Sequence, residues 1–366
     1  MKNRSDRILL GIVVLLVLFG FFMLASAFLG PAAKEAGTFY SSLARQILIG
    51  LLGGGVLLFT ISRIPYQIWR KISLPLFLTT FFLTILVFVP SLGFEYGGAR
   101  RWLNLGSFTF QPSELLKFGF LVYLSSWLAS RKEEVSSFKF GLFPFLVIVA
   151  FVAGLLIAEP NVSTLLVIAF TAVSLFYIAG GRFKQIAIIV LIGAGLLFAV
   201  IQMGGQFSYL KERIMVFMDP AHDLQGSGYQ LQQSKIALGS GGLFGKGFGM
   251  SVQKFNYLPE PTGDSIFAVI GEEFGFLGTA GLIALFLFFL YRGFLIAMAA
   301  PDNFGRLLGS GIVIMIISQS FMNMAAMIGI FPLTGLPLLF ISQGGSALAL
   351  TLAEVGVLLN ISKYRK

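Results

Sequence analysis

The sequence predicts an all-α polytopic membrane protein, about ten transmembrane helices with one large extracellular loop, forming a single integral membrane domain over residues 1–366. Hydrophobic residues make up 57% of the chain and charged residues only 11%, with a mean hydropathy of +0.89. A soluble domain of this length does not show such values. Apolar runs recur at the length a helix needs to cross a roughly 30 Å hydrocarbon core. Lys and Arg gather in alternate loops, as basic residues do on the cytoplasmic side of short connections.

In chain order the apolar runs are 8–29, 43–61, 72–90, 113–129, 141–158, 162–179, 185–202, 265–291, 306–329 and 340–360. The first is long and lacks a small-residue cleavage site ahead of a soluble domain, so it reads as a retained span and not as a cleaved signal. The fourth carries Glu114 and Lys117, and the fifth and sixth are divided only by Glu159, Pro160 and Asn161. More than half of the 26 basic residues share one side: Lys2, Arg4 and Arg7; Arg63, Arg70 and Lys71; Arg131, Lys132 and Lys139; Arg182 and Lys184; Arg292 and Arg306; Lys363, Arg365 and Lys366. With ten spans, both termini are then cytoplasmic, and loops 30–42, 91–112, 203–264 and 330–339 are external.

The net charge of +10 reflects this asymmetry and attraction to anionic headgroups; it does not imply nucleic acid. The absence of cysteine excludes disulfides and thiolate metal sites, and a single histidine, His222, excludes a His-rich metal centre or a Ser-His-Asp triad. His222 reads as a solvated loop residue.

Polar groups inside spans cost a few kcal/mol unless they face a cavity or a partner. Five places on the external half hold such groups. Loop 91–112 contains Arg100, Arg101 and Trp102, which suit a phosphate headgroup or plain interfacial anchoring. Glu114 and Lys117, at i and i+3 on one helix face, can form a structural ion pair or contact substrate. The stretch 239–249, GSGGLFGKGFG, has six glycines; it is either a flexible turn or a backbone that approaches a ligand closely and forms an anion nest. It is not a nucleotide-binding loop, because its spacing is one residue short and Lys246 precedes Gly247.

Asp264 stands where the long loop meets the next span. It reads either as a helix N-cap or as a carboxylate at a cavity rim working as a general base, with Glu260 as a partner. Deeper on that helix, at least one of Glu272 and Glu273 should face polar partners. Finally, FPLTGLPLLFISQGGSALAL at 331–350 predicts an irregular helix start lining the same cavity, with Ser342, Gln343 and Ser346 among its polar groups.

The blocks GARRWLNLGSFTFQPSELLKF, GYQLQQSKIALGSGGLFGKGFGMSVQKFNYLPEPTGDSIFAVIGEEFGFLG and PLTGLPLLFISQGGSAL resemble the three signatures of the SEDS (shape, elongation, division and sporulation) family, whose members FtsW and RodA are peptidoglycan glycosyltransferases. The form PEPTGDSIFAV leans toward FtsW. The resemblance implies an enzyme that polymerises lipid II, the undecaprenyl-pyrophosphate-linked disaccharide pentapeptide, into glycan strands on the outer face of the bacterial cytoplasmic membrane, for division or elongation. It places the essential aspartate on Asp264 and substrate contacts on Glu114, Lys117, Trp102, Arg100, Arg101, Lys254, Glu260, Ser342 and Ser346. Mg2+ or Mn2+ would assist the leaving diphosphate, an apolar groove would take the polyprenyl tails, and a class B penicillin-binding protein, a single-span transpeptidase, would be a partner alongside other divisome or elongasome proteins. A lipid II flippase is the alternative, although no internal inverted repeat accompanies it. The chain departs from the family pattern at Glu159–Thr164, where Asn161 replaces an acid, at Gln343, where Tyr is usual, and at Thr262 and Gly263, one of which stands where a His is usual.

Overall fold

A computed structural model describes residues 5–32, 43–96, 99–104, 109–131, 133–219, 223 and 225–365; His222 lies outside the described residues. Twelve principal helices carry the fold. They are α1 (Arg7–Ala27), α2 (Leu43–Ile61, beginning as a π-helix), α3 (Ser73–Ile85), α4 (Pro112–Ser130), α5 (Phe143–Ala158), α6 (Val162–Ile178), α7 (Phe183–Gln202), α8 (Ser208–Met218), α9 (Ser227–Ser240), α10 (Ile266–Met298), α11 (Asn303–Ile328) and α12 (Gly345–Ser362).

All ten expected spans have a helix. Among the described residues seven are long and apolar enough to cross a membrane, which makes this a multi-pass membrane protein. The expected spans 72–90 and 162–179 appear as the shorter apolar helices Ser73–Phe88 and Val162–Ile178. The expected span 113–129 appears as α4, which opens with Pro112 in its first turn and carries Glu114 and Lys117 on its buried side.

The two most enclosed helices sit at the centre: α11 is 72% buried and α12 78%, against 17% for α2 and α7 at the periphery. A helix whose polar side chains face other helices, and not lipid, belongs in the middle of the bundle. The buried Ser310, Gln319, Ser320 and Asn323 of α11 and Thr351, Glu354 and Asn360 of α12 follow that rule. Both chain ends meet on one side. Asp6 caps α1 by accepting from the Leu9 amide at 2.9 Å, and its carboxylate also holds Arg292 at 2.6 Å and Arg365 at 3.0 Å.

On the opposite side, loop 91–112 folds into an antiparallel sheet of β1 (Gly93–Tyr96), β2 (Ala99–Asn104) and β3 (Thr109–Phe110) in that order. Phe94 lies across from Trp102 and Glu95 across from Arg100. The sheet corrects a reading of this segment as a plain loop: alternating side chains and two short antiparallel returns give its backbone polar groups partners.

Candidate active site

Asp264 does not cap a helix. The N-cap of α10 is Ser265, and no side-chain capping bond is made there. The Asp264 carboxylate instead accepts from Gln230 Nε2 of α9 at 3.2 Å, while Gln230 also donates to Ser265 Oγ at 3.0 Å. Burial pushes its pKa up to about 6; the Gln230 bond opposes that rise, the charge of Glu260 adds to it and Arg213 opposes it. The helix-cap role is therefore vacated, leaving a carboxylate whose basicity suits proton transfer near neutral pH.

The backbone at Asp264 is held by elements far apart in sequence. Asn323 of α11 donates to the Asp264 carbonyl and to the Leu336 carbonyl, each at 2.7 Å. Ser342 donates to the Gly263 carbonyl at 2.7 Å, and Thr262 and Gln343 exchange a side-chain bond at 2.7 Å and a backbone bond at 2.8 Å. Ser342 and Gln343 thus position the aspartate segment. Ser346, half-buried in the first turn of α12, makes no hydrogen bond to that segment among the described residues.

Facing the carboxylate is Arg213 of α8, which sequence reading missed. A Cβ placed on Gly335 (φ +67°) would lie 3.3 Å from Arg213 Nη2 and 4.0 Å from Asp264 Oδ2, so the space between carboxylate and guanidinium is kept open by a glycine. Arg213 lies over the Tyr209 ring at 5.3 Å, and burial lowers its pKa from the ordinary arginine value. Among the described residues its guanidinium has no carboxylate or carbonyl within bonding distance. The same Tyr209 donates its hydroxyl to the Pro160 carbonyl at 2.9 Å, and Arg101 donates to that carbonyl as well.

Strand alternation separates the basic residues of β2. Arg101 points to the Pro160 turn. Arg100 pairs with Glu95 at 3.3 Å on the exposed face of the sheet, with about half of each side chain in solvent; such pairs contribute little. Trp102, on the Arg100 face, is half-buried. Beside Arg101 lies the fully buried Glu159, close to Asn161 and Ser113. Burial pushes its pKa up to about 8 against the pull of Arg101, Asn161 and Ser113. Asn161 donates to Ser113 at 3.1 Å, adjacent to Glu114.

Glu114 and Lys117 form the expected pair at 2.9 Å, and Lys117 also donates to Gln319 of α11 at 2.6 Å. Gln319 in turn donates to the Pro337 carbonyl at 3.2 Å. Gln319 and Asn323 lie one turn apart, so a single face of α11 joins the ion pair to the segment that holds Asp264. That polar face inside an apolar helix is a signal the sequence offered and sequence reading passed over.

Full-length agreement accompanies this geometry: residues 6–366 match the family model FTSW_RODA_SPOVE, described as a cell cycle protein. The chain belongs to the FtsW/RodA/SpoVE family. It is 39% identical to a probable peptidoglycan glycosyltransferase FtsW of Geobacter sp. (strain M18), covering 98% of this chain and 96% of that one. It is 37% identical to the stage V sporulation protein E of Bacillus subtilis (strain 168), covering 100% and 99%. Among solved structures, a chain described under "Structural coordination of polymerization and crosslinking by a peptidoglycan synthase complex" superposes with a TM-score of 0.79 at 29% identity over 98% of this chain and 97% of that one. The rod shape determining protein RodA of Thermus thermophilus gives 0.71 at 28% identity over 99% and 98%.

Within this FtsW/RodA/SpoVE chain the structure corrects the expectation for Lys254. Its ammonium is fully buried and donates to Ser26 Oγ at 2.9 Å, the Gly249 carbonyl at 2.8 Å and Glu273 at 2.8 Å. An ammonium has three donors, so none is left for substrate. Glu260 is exposed in the turn before Asp264, with φ at +47°. Among the described residues no group of three or more His, Cys, Asp or Glu side chains comes together. A separate apolar cavity of about 500 Å³ opens between α5, α6 and α7, and its lining residues Ile157 and Val162 flank the Glu159–Asn161 turn.

Proposed function

We propose that this chain is a peptidoglycan glycosyltransferase that polymerises lipid II on the external face of the bacterial cytoplasmic membrane, with Asp264 as general base. One observation carries the reading: the Asp264 carboxylate is released from helix capping and faces the Arg213 guanidinium across a gap lined by Gly335. Asp264 accepts the proton of the acceptor sugar 4-hydroxyl. The resulting oxygen attacks the anomeric carbon of the donor, a C–O bond forms with inversion, and the bond to the diphosphate breaks with its electron pair leaving on the diphosphate oxygen. Arg213, with Arg101 behind it, stabilises that developing charge; a fixed cation in a dry site is effective there because it needs no reorganisation. Lys117 acts through Gln319 on the site's framework. Mg2+ or Mn2+, if bound, would add positive charge beside the leaving diphosphate; the steps above use only this chain's own residues.

The apolar cavity between α5, α6 and α7 suits a polyprenyl tail, and its position beside the Pro160 turn brings the diphosphate end toward Arg101. The basic-residue asymmetry, with the Asp6 clamp uniting both ends, supports cytoplasmic termini. A class B penicillin-binding protein is the partner this reading expects, beside other division or elongation proteins.

The test is polymerisation of labelled lipid II by purified protein, with and without a cognate transpeptidase, next to Asp264→Ala. Strands from the wild type that vanish in the variant are expected. Equal strands from both would remove Asp264 as the base, and headgroup transfer across liposomes without strands would make the chain a flippase.

A further inference from the structure

The glycine-rich stretch is neither a flexible turn nor an anion nest. Helix α10 breaks at Gly275 (φ +65°, ψ −161°), and the loop repairs the break. The amides of Lys246 and Gly247 donate to the carbonyls of Glu272 and Glu273, each at 3.0 Å. The amides of Phe276 and Leu277 donate to the carbonyls of Gly242 and Leu243 at 2.8 and 3.1 Å. The side chains of the two glutamates fasten the rest of the loop. Glu272 accepts from Lys246 at 2.6 Å, Ser251 at 2.5 Å and the Val252 and Gln253 amides at 3.1 Å, while Glu273 accepts from Ser26 at 2.6 Å and Lys254 at 2.8 Å.

These contacts also set a depth. Phe274 packs edge-on against Phe19 of α1 at 5.8 Å and near Phe248 of the loop at 6.5 Å. Phe19 lies eight residues before the end of α1 at Ala27, about 12 Å along the helix axis. The loop therefore hangs below the rim of the bundle, alongside the last turns of a membrane span. At that depth no water serves an open backbone, so irregular chain is tolerated only when its polar groups are satisfied internally, as the repair of α10 does. The side chains that point away from the protein are apolar: Leu243 is 63% exposed, Phe244 79%, Phe248 53% and Met250 64%, and they continue into Phe276 at 64% and Leu277 at 55% on the span itself.

We infer that residues 243–250 form a re-entrant segment seated in the acyl-chain zone of the leaflet on the Asp264 side, with lipid chains as the occupant of its apolar face. Lys246, neutralised by Glu272, does not oppose the insertion. The segment is joined to Asp264 by residues 251–263, which Glu272 and Glu273 fasten to α10 through Ser251 and Lys254, and so it sets the height of that carboxylate against the headgroups.

The chain has no cysteine, so Phe244→Cys and, separately, Met250→Cys can each carry one nitroxide in the full protein reconstituted in phosphatidylglycerol/phosphatidylethanolamine vesicles. Leu15→Cys on the lipid-facing side of α1 and Glu133→Cys in an exposed turn serve as references. Oxygen is expected to relax both loop labels far more than a water-soluble nickel chelate does, as at position 15, giving depths of at least roughly 5–10 Å below the phosphates. Nickel relaxation matching position 133 would overturn the inference by placing the loop in water. Protection from both reagents would overturn it by showing that protein, a second copy of the chain, covers the face.

Discussion

Asp264 is a carboxylate whose neighbours decide its chemistry, and the signs can be checked by rate. With its pKa raised to about 6, the base form predominates only above that pH. The kcat/KM for labelled lipid II should therefore fall with an acid limb near pH 6. The hydrogen bond from Gln230 favours the charged form, so Gln230→Leu should move that limb upward by about one unit, the scale of a bond to a charged group; an unmoved limb would separate Gln230 from the base. Comparable reasoning distinguishes the lysines. Lys117 and Lys254 both lie in signature blocks, yet three acceptors consume Lys254 while Lys117 is shared between Glu114 and Gln319. Nothing local distinguishes these two residues, because a lysine's role depends on acceptors brought from other helices.

At the scale of elements, α10 and the glycine loop form one unit. Local sequence across Gly275 reads as continuous apolar helix, since the break shows only when the partner strand of hydrogen bonds is known. A Cβ on Gly245 would lie 2.1 Å from the Glu273 carbonyl oxygen, at φ +80°. Gly245→Ala should therefore destabilise by on the order of 1–3 kcal/mol, the cost of enforced backbone strain, read as a lower melting temperature in detergent. Gly239→Ala is the control, because its Cβ meets nothing within 4 Å and alanine favours the helix of α9; it should be neutral or slightly stabilising. If both variants melt alike, the loop does not plug the helix. The sheet of loop 91–112 teaches the same lesson in reverse. Its alternation was present in the residues, and it is what sends Arg101 to the Pro160 carbonyl while leaving Arg100 in solvent.

For the whole molecule, site and cavity adjoin at the Glu159–Asn161 turn. Gly193 of α7 lines the cavity and has open space around its Cβ position, so Gly193→Phe can fill the volume without clashing with the backbone. It should raise KM for a full-length polyprenyl substrate about tenfold, equivalent to about 1.4 kcal/mol, while sparing a short-tail analogue; equal effects on both would place the tail elsewhere. By itself the sequence determined the membrane class, the positions of ten helices, the family and the candidate base, because hydropathy, basic-residue asymmetry and contiguous blocks are properties of neighbouring residues. Only the tertiary structure decided that Asp264 leaves its cap, that Arg213 faces it across Gly335, that Lys254 is consumed, and that the glycine loop completes a broken helix. Each of these depends on which donors and acceptors meet across residues distant in the chain, and in a bundle that pairing is fixed by packing, where every buried polar group must find its partner.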